Sequence, residues 1–170
     1  MISRLGAAEV ESCAVSLGAL LVDTVDGGAS VGFLAPLSAE AATAWFRALV
    51  PAVVDGSVLV WAARSGERLT GTVQLRLTAT PNGLHRAEVA KLMVAPGSRG
   101  RGLGRRLLET AELGARETGA TLLMLDTQTG TPAEHLYRSA GWTQVGTVPD
   151  YAADPAGELR PTTFFYKRVG

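Results

Sequence analysis

The sequence has few of the residues from which covalent cross-links and metal sites are made. Cys13 is its only cysteine, so an intramolecular disulfide is impossible. The two histidines, His85 and His135, lie fifty residues apart, and no second cysteine accompanies them. Because zinc sites need clustered histidine and cysteine ligands at short spacings, we expect no metal site.

An excess of charge of one sign and a membrane-length apolar run are also missing. The sequence has 16 basic residues (Lys and Arg together) and 16 acidic residues (Asp and Glu together), so the formal net charge is zero. Nucleic-acid-binding domains usually carry a clear basic excess, so we expect no nucleic-acid partner. The apolar stretch Cys13–Val22 is too short to cross a bilayer. It also follows Glu9 and Glu11, where a secretory signal would carry positive charge. We therefore predict a cytoplasmic protein with no membrane partner.

The sequence does contain enough apolar material for one folded core. Hydrophobic residues make up 46% of the 170 and charged residues 19%, a balance typical of a globular protein. Neither an internal repeat nor a low-complexity linker divides the chain. We therefore expect a single domain over residues 1–170.

Hydrophobic periodicity and turn residues predict the order of helices and strands. Helices are predicted over Ala7–Val25, from Ser38 to Gly56, over Leu103–Thr118 and over Thr131–Ala140. Strands are predicted over Met1–Leu5, Ser57–Arg64, Leu69–Ala79, His85–Val94, Thr121–Leu125, Trp142–Val148 and Thr162–Arg168, with the prolines 149, 155 and 161 in the loop before the last strand. An antiparallel meander followed by alternating strands and helices predicts an α/β (α+β) fold, with a mixed sheet that carries helices on its faces.

The most informative segment joins the strand that ends at Val94 to the helix that begins at Leu103. Its sequence is Arg99-Gly100-Arg101-Gly102-Leu103-Gly104, followed by Arg105-Arg106. The first turn of a helix leaves backbone N–H groups unpaired, and glycines let the backbone approach a ligand closely. Arginines add charge-assisted contacts, so the segment predicts a site for a pyrophosphate-bearing cofactor. A solvated surface loop and a nucleic-acid contact are the alternatives.

The glycine spacing narrows the choice of cofactor. The order Gly100-x-Gly102-x-Gly104 is neither the G-x-G-x-x-G of dinucleotide sites nor the Gly-Lys-Ser/Thr of nucleotide triphosphatases. Arg99-x-x-Gly102-x-Gly104, after an apolar strand ending in Val94-x-Pro96, resembles motif A of the GNAT superfamily of N-acetyltransferases, which binds acyl-CoA pyrophosphate there. The resemblance implies the GNAT fold, with a mixed, mostly antiparallel sheet of about seven strands, and acetyl-CoA as co-substrate. It implies cofactor contacts from Leu92, Met93, Val94, Arg99, Gly100, Arg101, Gly102, Leu103, Gly104, Arg105 and Tyr137.

Segments outside this motif resemble the tabtoxin-resistance acetyltransferases of the same superfamily. These segments are Val25–Phe33, Pro81–Leu84, Arg86–Val89, Leu125–Thr127 and the tail from Pro149 to Thr162. Together with motif A they cover nearly the whole chain. The resemblance suggests resistance by acetylation of a toxin, but it does not identify the acceptor, since one fold carries many functions.

Acetyl transfer needs a polarised carbonyl and an acid for the departing thiolate. In the GNAT fold the strand that holds Met93 and Val94 splays from its neighbour, which frees backbone N–H groups to bind the pantetheine and thioester. Tyr137 matches the tyrosine that the family places near the sulfur, and a neutral phenol can protonate a thiolate at pH 7. The alternative for Tyr137 is packing in the core with its hydroxyl paired elsewhere.

The amine must also lose a proton, and two carboxylates compete for that role. By resemblance Asp126, directly after the strand that ends at Leu125, is the candidate base, although such an aspartate often caps a neighbouring loop instead. Glu88 is the competing base, because several GNAT enzymes use a glutamate on this strand. Glu88 shares a face with Leu92 and Val94 if the strand is regular, and a bulge would reverse that arrangement.

The predicted function is transfer of an acetyl group to the amine of a small molecule by direct attack in a ternary complex. Candidate substrate-binding residues are Phe33, Trp61, Glu88, Asp126 and Tyr151. Trp61 is equally compatible with a position in the core. Lys91 is compatible either with a contact to a substrate carboxylate or with a solvated position. Alternatives are a non-catalytic acyl-CoA-binding regulator, a transferase that acts on a protein amino group, and a nucleic-acid module. The oligomeric state is left open between monomer and homodimer.

Overall fold

Seven strands and five helices make up the chain, and the computed structural model describes all of it, Met1–Gly170. The strands are β1 (Ile2–Leu5), β2 (Val58–Ser65), β3 (Arg68–Leu77), β4 (Arg86–Val94), β5 (Leu122–Gln128), β6 (Thr143–Ala153) and β7 (Leu159–Arg168). The helices are α1 (Ala7–Asp26), α2 (Ala39–Arg47), α3 (Val50–Val54), α4 (Leu103–Glu117) and α5 (Pro132–Ser139). None of the helices combines the length and the apolar character that crossing a bilayer requires.

The strands form one sheet in the order β1-β2-β3-β4-β5-β7-β6. Every neighbouring pair is antiparallel except β4 and β5, which are parallel. A parallel pair needs a crossover connection, and the glycine-rich segment with α4 supplies it. The prediction of a mixed, mostly antiparallel sheet flanked by helices is therefore confirmed.

Two hydrophobic cores lie on opposite faces of this sheet. On the α1 face, α1 and α2 bury residues such as Leu17, Leu21 and Phe46 against the sheet. On the α4 face, α4 and α5 bury a second set that includes Leu107 and Phe165. Alternation along each strand divides its side chains between the two cores, and each fully buried large side chain contributes roughly 1.5–3 kcal/mol.

The second predicted helix, from Ser38 to Gly56, is interrupted. Its start is as expected, since the Ser38 hydroxyl accepts a hydrogen bond from the backbone N–H of Ala41 at 3.0 Å. However, α2 ends at Arg47 and the five-residue α3 begins at Val50. Pro51 explains the break, because it has no N–H to donate to the carbonyl four residues earlier.

The last three strands are longer than the sequence pattern predicts. Asp126 lies inside β5 rather than after it. The predicted loop with its three prolines is mostly strand, since Pro149 lies in β6 and Pro161 in β7. A register shift between Val148 and Ala152 places Pro149 in a bulge of an edge strand, which is where a sheet tolerates proline.

Candidate active site

A gap between β4 and β5 is the central feature of the site. The two strands pair only at their beginnings, and the last paired residues are Glu88 and Met124. Beyond this point β4 continues to Val94 beside β3, whereas β5 continues to Gln128 beside β7. The two inner strands therefore diverge and leave backbone groups of β4 without a partner on the β5 side.

Val94 presents its backbone to this gap. The N–H of Ala95 donates to the carbonyl of Thr70 at 2.9 Å, on the β3 side. Because backbone groups alternate between the two edges of a strand, the N–H and C=O of Val94 face the gap, and those of Met93 face β3. The Met93 side chain is buried in the core on the α1 face. Val94 thus offers one fixed N–H dipole to a ligand in the gap.

A β-bulge in β4 decides which side chains line each face of the sheet. Lys91 and Leu92 of β4 lie opposite the single residue Val73 of β3, and Lys91 has a positive φ of 50°. The bulge reverses the alternation, so Leu92 and Val94 pack on the α4 face. Glu88 precedes the bulge and faces the α1 side. The arrangement expected for a regular strand, with Glu88 on the face of Leu92 and Val94, is therefore wrong.

The glycine-rich segment opens directly beyond the end of β4. Six consecutive backbone N–H groups, from Gly100 to Arg105, have no acceptor within the protein. Gly100 and Gly102 take left-handed conformations, with φ of 75° and 74°, and Gly102 is the N-cap of α4. Successive unpaired N–H groups at a helix N-terminus carry partial positive charge, so they form a cradle for an anion.

Two arginines of this segment make hydrogen bonds within the protein, and two others are exposed and make none. The Nε of Arg99 donates to the carbonyl of Val94 at 3.0 Å, and an Nη of Arg105 donates to the Ser139 hydroxyl at 2.8 Å. These two bonds tie the segment to β4 and to the end of α5. Arg101 and Arg106 are exposed, and their guanidinium groups make no hydrogen bond within the protein. They are the free cations beside the cradle.

Tyr137 reaches the site from α5 on the α4 face. Its ring is buried, 6.1 Å from that of Phe165 and 6.2 Å from that of Trp142 between centroids. Its hydroxyl makes no hydrogen bond within the protein, and it is not one of the fully enclosed polar atoms that lack a partner. Burial, and to a smaller extent the charge of Asp126, raises the pKa of the Tyr137 phenol above its usual value. The hydroxyl is therefore protonated at neutral pH and available to donate a proton or a hydrogen bond.

Four charged side chains lie on the α1 face around the start of the gap. Arg76 of β3 pairs across the sheet with Glu88 of β4, and Asp126 of β5 lies two residues beyond the partner of Glu88. Lys91 completes the group, and no ion pair within 4.0 Å joins any of the four. Partial burial raises the pKa of the Asp126 carboxyl, and the charge of Lys91 opposes this shift. Burial and the charge of Arg76 lower the pKa of Lys91.

Aromatic rings border these charges on two sides. The ammonium of Lys91 lies 5.6 Å from the ring centroid of Phe33 and 5.5 Å from that of Trp45. On the other side, Tyr151 packs edge-to-face on Phe164 at 5.2 Å, and Phe164 is the cross-strand partner of Asp126. We use the name acceptor face for this surface, which comprises Phe33, Trp45, Arg76, Glu88, Lys91, Asp126, Tyr151 and Phe164.

The structure does not bring every predicted site residue to this surface. Trp61 is buried on the α4 face, where its ring packs on Gly114 of α4 and leaves no room for a side chain there. Sequence analysis missed Trp45, Arg76 and Phe164. Trp45 reaches this surface by packing edge-to-face on Phe33, and the other two gain their position only from cross-strand pairing.

The cradle and the gap fit the pyrophosphate and thioester arms of acetyl-CoA. The six free N–H groups between Gly100 and Arg105 match a diphosphate in charge and in hydrogen-bond type. The free N–H of Val94 matches a pantetheine or thioester carbonyl. No group of three His, Cys, Asp or Glu side chains lies close enough together to hold a metal ion.

Comparison with solved structures finds the same fold in other proteins. An N-acetyltransferase from Staphylococcus aureus Mu50 superposes with a TM-score of 0.82 at 15% identity, and the match covers 100% of this chain and 98% of that one. A putative acetyltransferase from Salmonella typhimurium, solved with its cofactor acetyl-CoA, gives a TM-score of 0.81 at 18% identity, covering 100% and 94% of the two chains. At these identities the likeness shows the fold alone.

Sequence comparison adds the family. Streptothricin acetyltransferase of Streptomyces lavendulae is 44% identical over 62 residues, which cover 36% of this chain and 33% of that protein. IAA acetyltransferase of Azospirillum brasilense is 39% identical over 69 residues, 40% and 45% of the two chains. The matched region thus spans less than half the length of these relatives. The model of the acetyltransferase (GNAT) family matches residues 31–142, more than half of the chain. The chain belongs to the GNAT acetyltransferase family.

Proposed function

We propose that this chain is an N-acetyltransferase domain that transfers the acetyl group of acetyl-CoA to the amine of a small molecule. The observation that carries the proposal is the continuity of two features, the six free N–H groups from Gly100 to Arg105 and the gap between β4 and β5. The first suits the diphosphate, and the second leads from it to the acceptor face. Family membership supports the same activity.

Acetyl-CoA supplies an activated acyl group as a thioester. In the proposed reaction the amine nitrogen forms a bond to the acetyl carbon while the carbon–sulfur bond breaks. The N–H of Val94 holds the carbonyl oxygen as negative charge develops on it. Asp126 or Glu88 accepts the proton that the amine loses, and Tyr137 donates a proton to the leaving thiolate. The carboxyl then returns its proton through solvent to the Tyr137 phenolate, so both groups are restored and the products are an amide and free CoA thiol.

Direct attack by the amine is favoured over a covalent acetyl-enzyme. Cys13 is the only thiol, and it lies on α1, where the guanidinium of Arg64 contacts its sulfur at 2.7 Å. Neither residue belongs to the gap or to the acceptor face. We therefore place both substrates in the site together, with the cofactor reaching the gap from the α4 side and the amine from the α1 side.

We propose the chemical class of the acceptor from the similar proteins and from the rings near Asp126. The name of the streptothricin-modifying relative and the resemblance to tabtoxin-resistance enzymes favour an amine of a toxin or antibiotic. Transfer to a protein amino group is the competing possibility, and the test below includes both. The exposed ring of Tyr151 and the half-buried ring of Phe164 beside Asp126 favour an acceptor with an apolar part.

The test is a panel of amines incubated with acetyl-CoA, with release of free thiol as the readout. The panel contains aminoglycoside-like, amino-acid and polyamine acceptors and a peptide with a free N-terminus. Acetyl-CoA binding is measured separately by calorimetry. Binding with turnover of at least one acceptor is the expected result. Binding without turnover of any amine would favour a non-catalytic acyl-CoA sensor, and absence of binding would exclude both.

A further inference from the structure

Lys91 is held in an unusual position for a surface lysine. It sits in the bulge of β4 with φ of 50°, a conformation that costs a non-glycine residue roughly 1–2 kcal/mol. Its ammonium lies over the rings of Phe33 and Trp45, at 5.6 and 5.5 Å from their centroids. Gly32 leaves space for it, because a Cβ on that residue would lie 3.3 Å from the Lys91 nitrogen. The surroundings hold the ammonium in one place.

This ammonium has no anion in contact with it. It makes no hydrogen bond, and no carboxylate oxygen lies within 4.0 Å. The charges of Glu88 and Asp126 do act on it through space, as does that of Arg76. Keeping a partly buried cation between aromatic rings without an anionic partner costs free energy, unless an anion of a bound ligand pairs with it. A carboxylate is the group that an ammonium of this kind pairs with best.

The two carboxylates beside Lys91 are unpaired as well. Neither Glu88 nor Asp126 accepts a hydrogen bond from another side chain, although Arg76 is the direct cross-strand neighbour of Glu88. The acceptor face therefore presents a cation that two rings hold beside two carboxylates that no side chain pairs. A ligand with one ammonium and one carboxylate a few bonds apart satisfies both at once. A simple amine or a polyamine would leave Lys91 unpaired.

On this basis we infer that the acceptor is an amino-carboxylate, an α-amino acid or a compound with the same head group, whose carboxylate binds Lys91 and whose amine lies at Asp126 and Glu88. The inference rests on the proposed function and specifies its substrate class. The rings of Phe33, Trp45, Phe164 and Tyr151 border the charges, so the side chain of the acceptor is apolar or aromatic. The amine is then delivered to the carboxylates that take its proton.

The experiment compares amino acids with their primary amides, which keep the amine and remove the carboxylate. The probes are L-methionine, L-leucine and L-phenylalanine and their amides, each assayed with acetyl-CoA by thiol release. Amides have the lower amine pKa and therefore the larger fraction of unprotonated amine at neutral pH, so a preference for the acids reports binding rather than availability of the free amine. We expect kcat/KM to be at least about tenfold higher for an acid than for its amide, as for a charge-assisted hydrogen bond.

A Lys91→Met variant isolates the lysine. It keeps the length of the side chain over the two rings but removes the charge, so kcat/KM should fall about tenfold or more further for the acids than for the amides. Arg68→Met is the matched control, because Arg68 is an exposed cation at the start of β3, outside the acceptor face. It should leave both values unchanged. Thermal unfolding of each variant checks that the fold is kept.

A binding measurement gives a readout besides turnover. Calorimetric titration of L-phenylalanine into the CoA-saturated protein should give an affinity that Lys91→Met weakens and Arg68→Met does not. Equal kcat/KM for acids and amides, or an equal loss for both in Lys91→Met, would overturn the inference. Acetylation of other amines but of no amino acid would also overturn it and leave the proposed function in place. Failure to bind acetyl-CoA would remove both.

Discussion

The Nε of Arg99 donates a hydrogen bond to the carbonyl of Val94 at 3.0 Å. This bond joins the start of the glycine-rich segment to the residue of β4 whose N–H faces the gap. It fixes the anion cradle relative to the strand that would hold the acetyl group. Under the proposed function, the protein sets the distance between the diphosphate and thioester sites before any ligand arrives, which lowers the entropic cost of positioning.

The left-handed glycine at the N-cap of α4 should be required for cofactor binding. In Gly102→Ala the new Cβ meets no atom within 4 Å, so the change acts through backbone strain at φ of 74° and disturbs the cradle. We expect a loss of about tenfold or more in acetyl-CoA affinity, measured by calorimetry. Gly119→Ala is the control, since Gly119 follows the same helix with φ of 83° and equally open space. Similar destabilisation with unchanged affinity is expected there; equal loss of affinity would count against the cradle.

Tyr137→Phe should separate chemistry from cofactor binding. The substitution removes one hydroxyl that has no partner within the protein, so the fold should be unaffected. If the phenol donates the proton to the thiolate, kcat falls about a hundredfold or more and acetyl-CoA affinity changes little. Steady-state kinetics and calorimetry measure the two quantities. An unchanged kcat would remove Tyr137 from the mechanism.

The pH dependence of kcat/KM should identify the base. Burial raises the pKa of Asp126, so this carboxyl stays protonated to a higher pH than an ordinary aspartate. A reaction that needs it ionised gains rate as pH rises through that pKa, and Asp126→Asn removes this acid limb. Lys91→Met removes the charge that lowers the Asp126 pKa, so it moves the limb to higher pH.

The competing base is tested with the same profile. If Glu88 takes the proton, Glu88→Gln removes the acid limb and Asp126→Asn keeps it. An acid limb that persists in both variants would be assigned to deprotonation of the acceptor amine itself, with solvent taking the proton. Both substitutions keep side-chain volume, so a change in shape of the profile reports on ionisation rather than packing.

The buried amide of Gln74 should lower the free energy of unfolding relative to an apolar side chain of similar volume. It is fully buried on β3, and neither its Nε2 nor its Oε1 has a hydrogen-bond partner. Gln74→Leu removes the unsatisfied amide at similar volume, and we expect the free energy of unfolding to rise by about 1–2 kcal/mol. Thr72→Val, two residues away on the same face, is the contrasting control, because the Thr72 hydroxyl donates to the carbonyl of Trp61 at 2.8 Å. It should lower stability by about 1 kcal/mol in urea unfolding. A loss of stability in Gln74→Leu would mean that the amide is satisfied in solution.

Local sequence patterns predicted the helices and strands well where the backbone conformation of each residue depends on its near neighbours. The end of α1, the cap at Ser38 and the left-handed glycines before α4 follow from side-chain chemistry within one turn. The long late strands were underestimated, because Pro149 and Pro161 are locally turn-forming residues. A bulge in the edge strand accommodates the first of them, and only pairing between β6 and β7 reveals that bulge.

In the candidate site, too, some residues could be proposed from local sequence and others gain their position only from strand pairing. Glu88, Asp126, Tyr137 and Tyr151 are the residues that the sequence proposed; Glu88 and Asp126 lie on the two strands that border the gap, and Tyr151 packs on the cross-strand partner of Asp126. For Trp61 the sequence left a substrate contact and a core position equally open, and the structure shows the core position, on the α4 face. Arg76 and Phe164 could not be found, since nothing near them in sequence marks their cross-strand partners.

The sequence by itself determined the anion cradle, because the conformations of Gly100 and Gly102 and the free N–H groups of a helix start are local properties of the backbone. It also determined the family, which the match over residues 31–142 shows. Only the tertiary structure decided which charges meet on the acceptor face. A single extra residue in β4 reverses the alternation at Lys91, and the divergence of β4 from β5 depends on pairings between strands that are distant in the sequence.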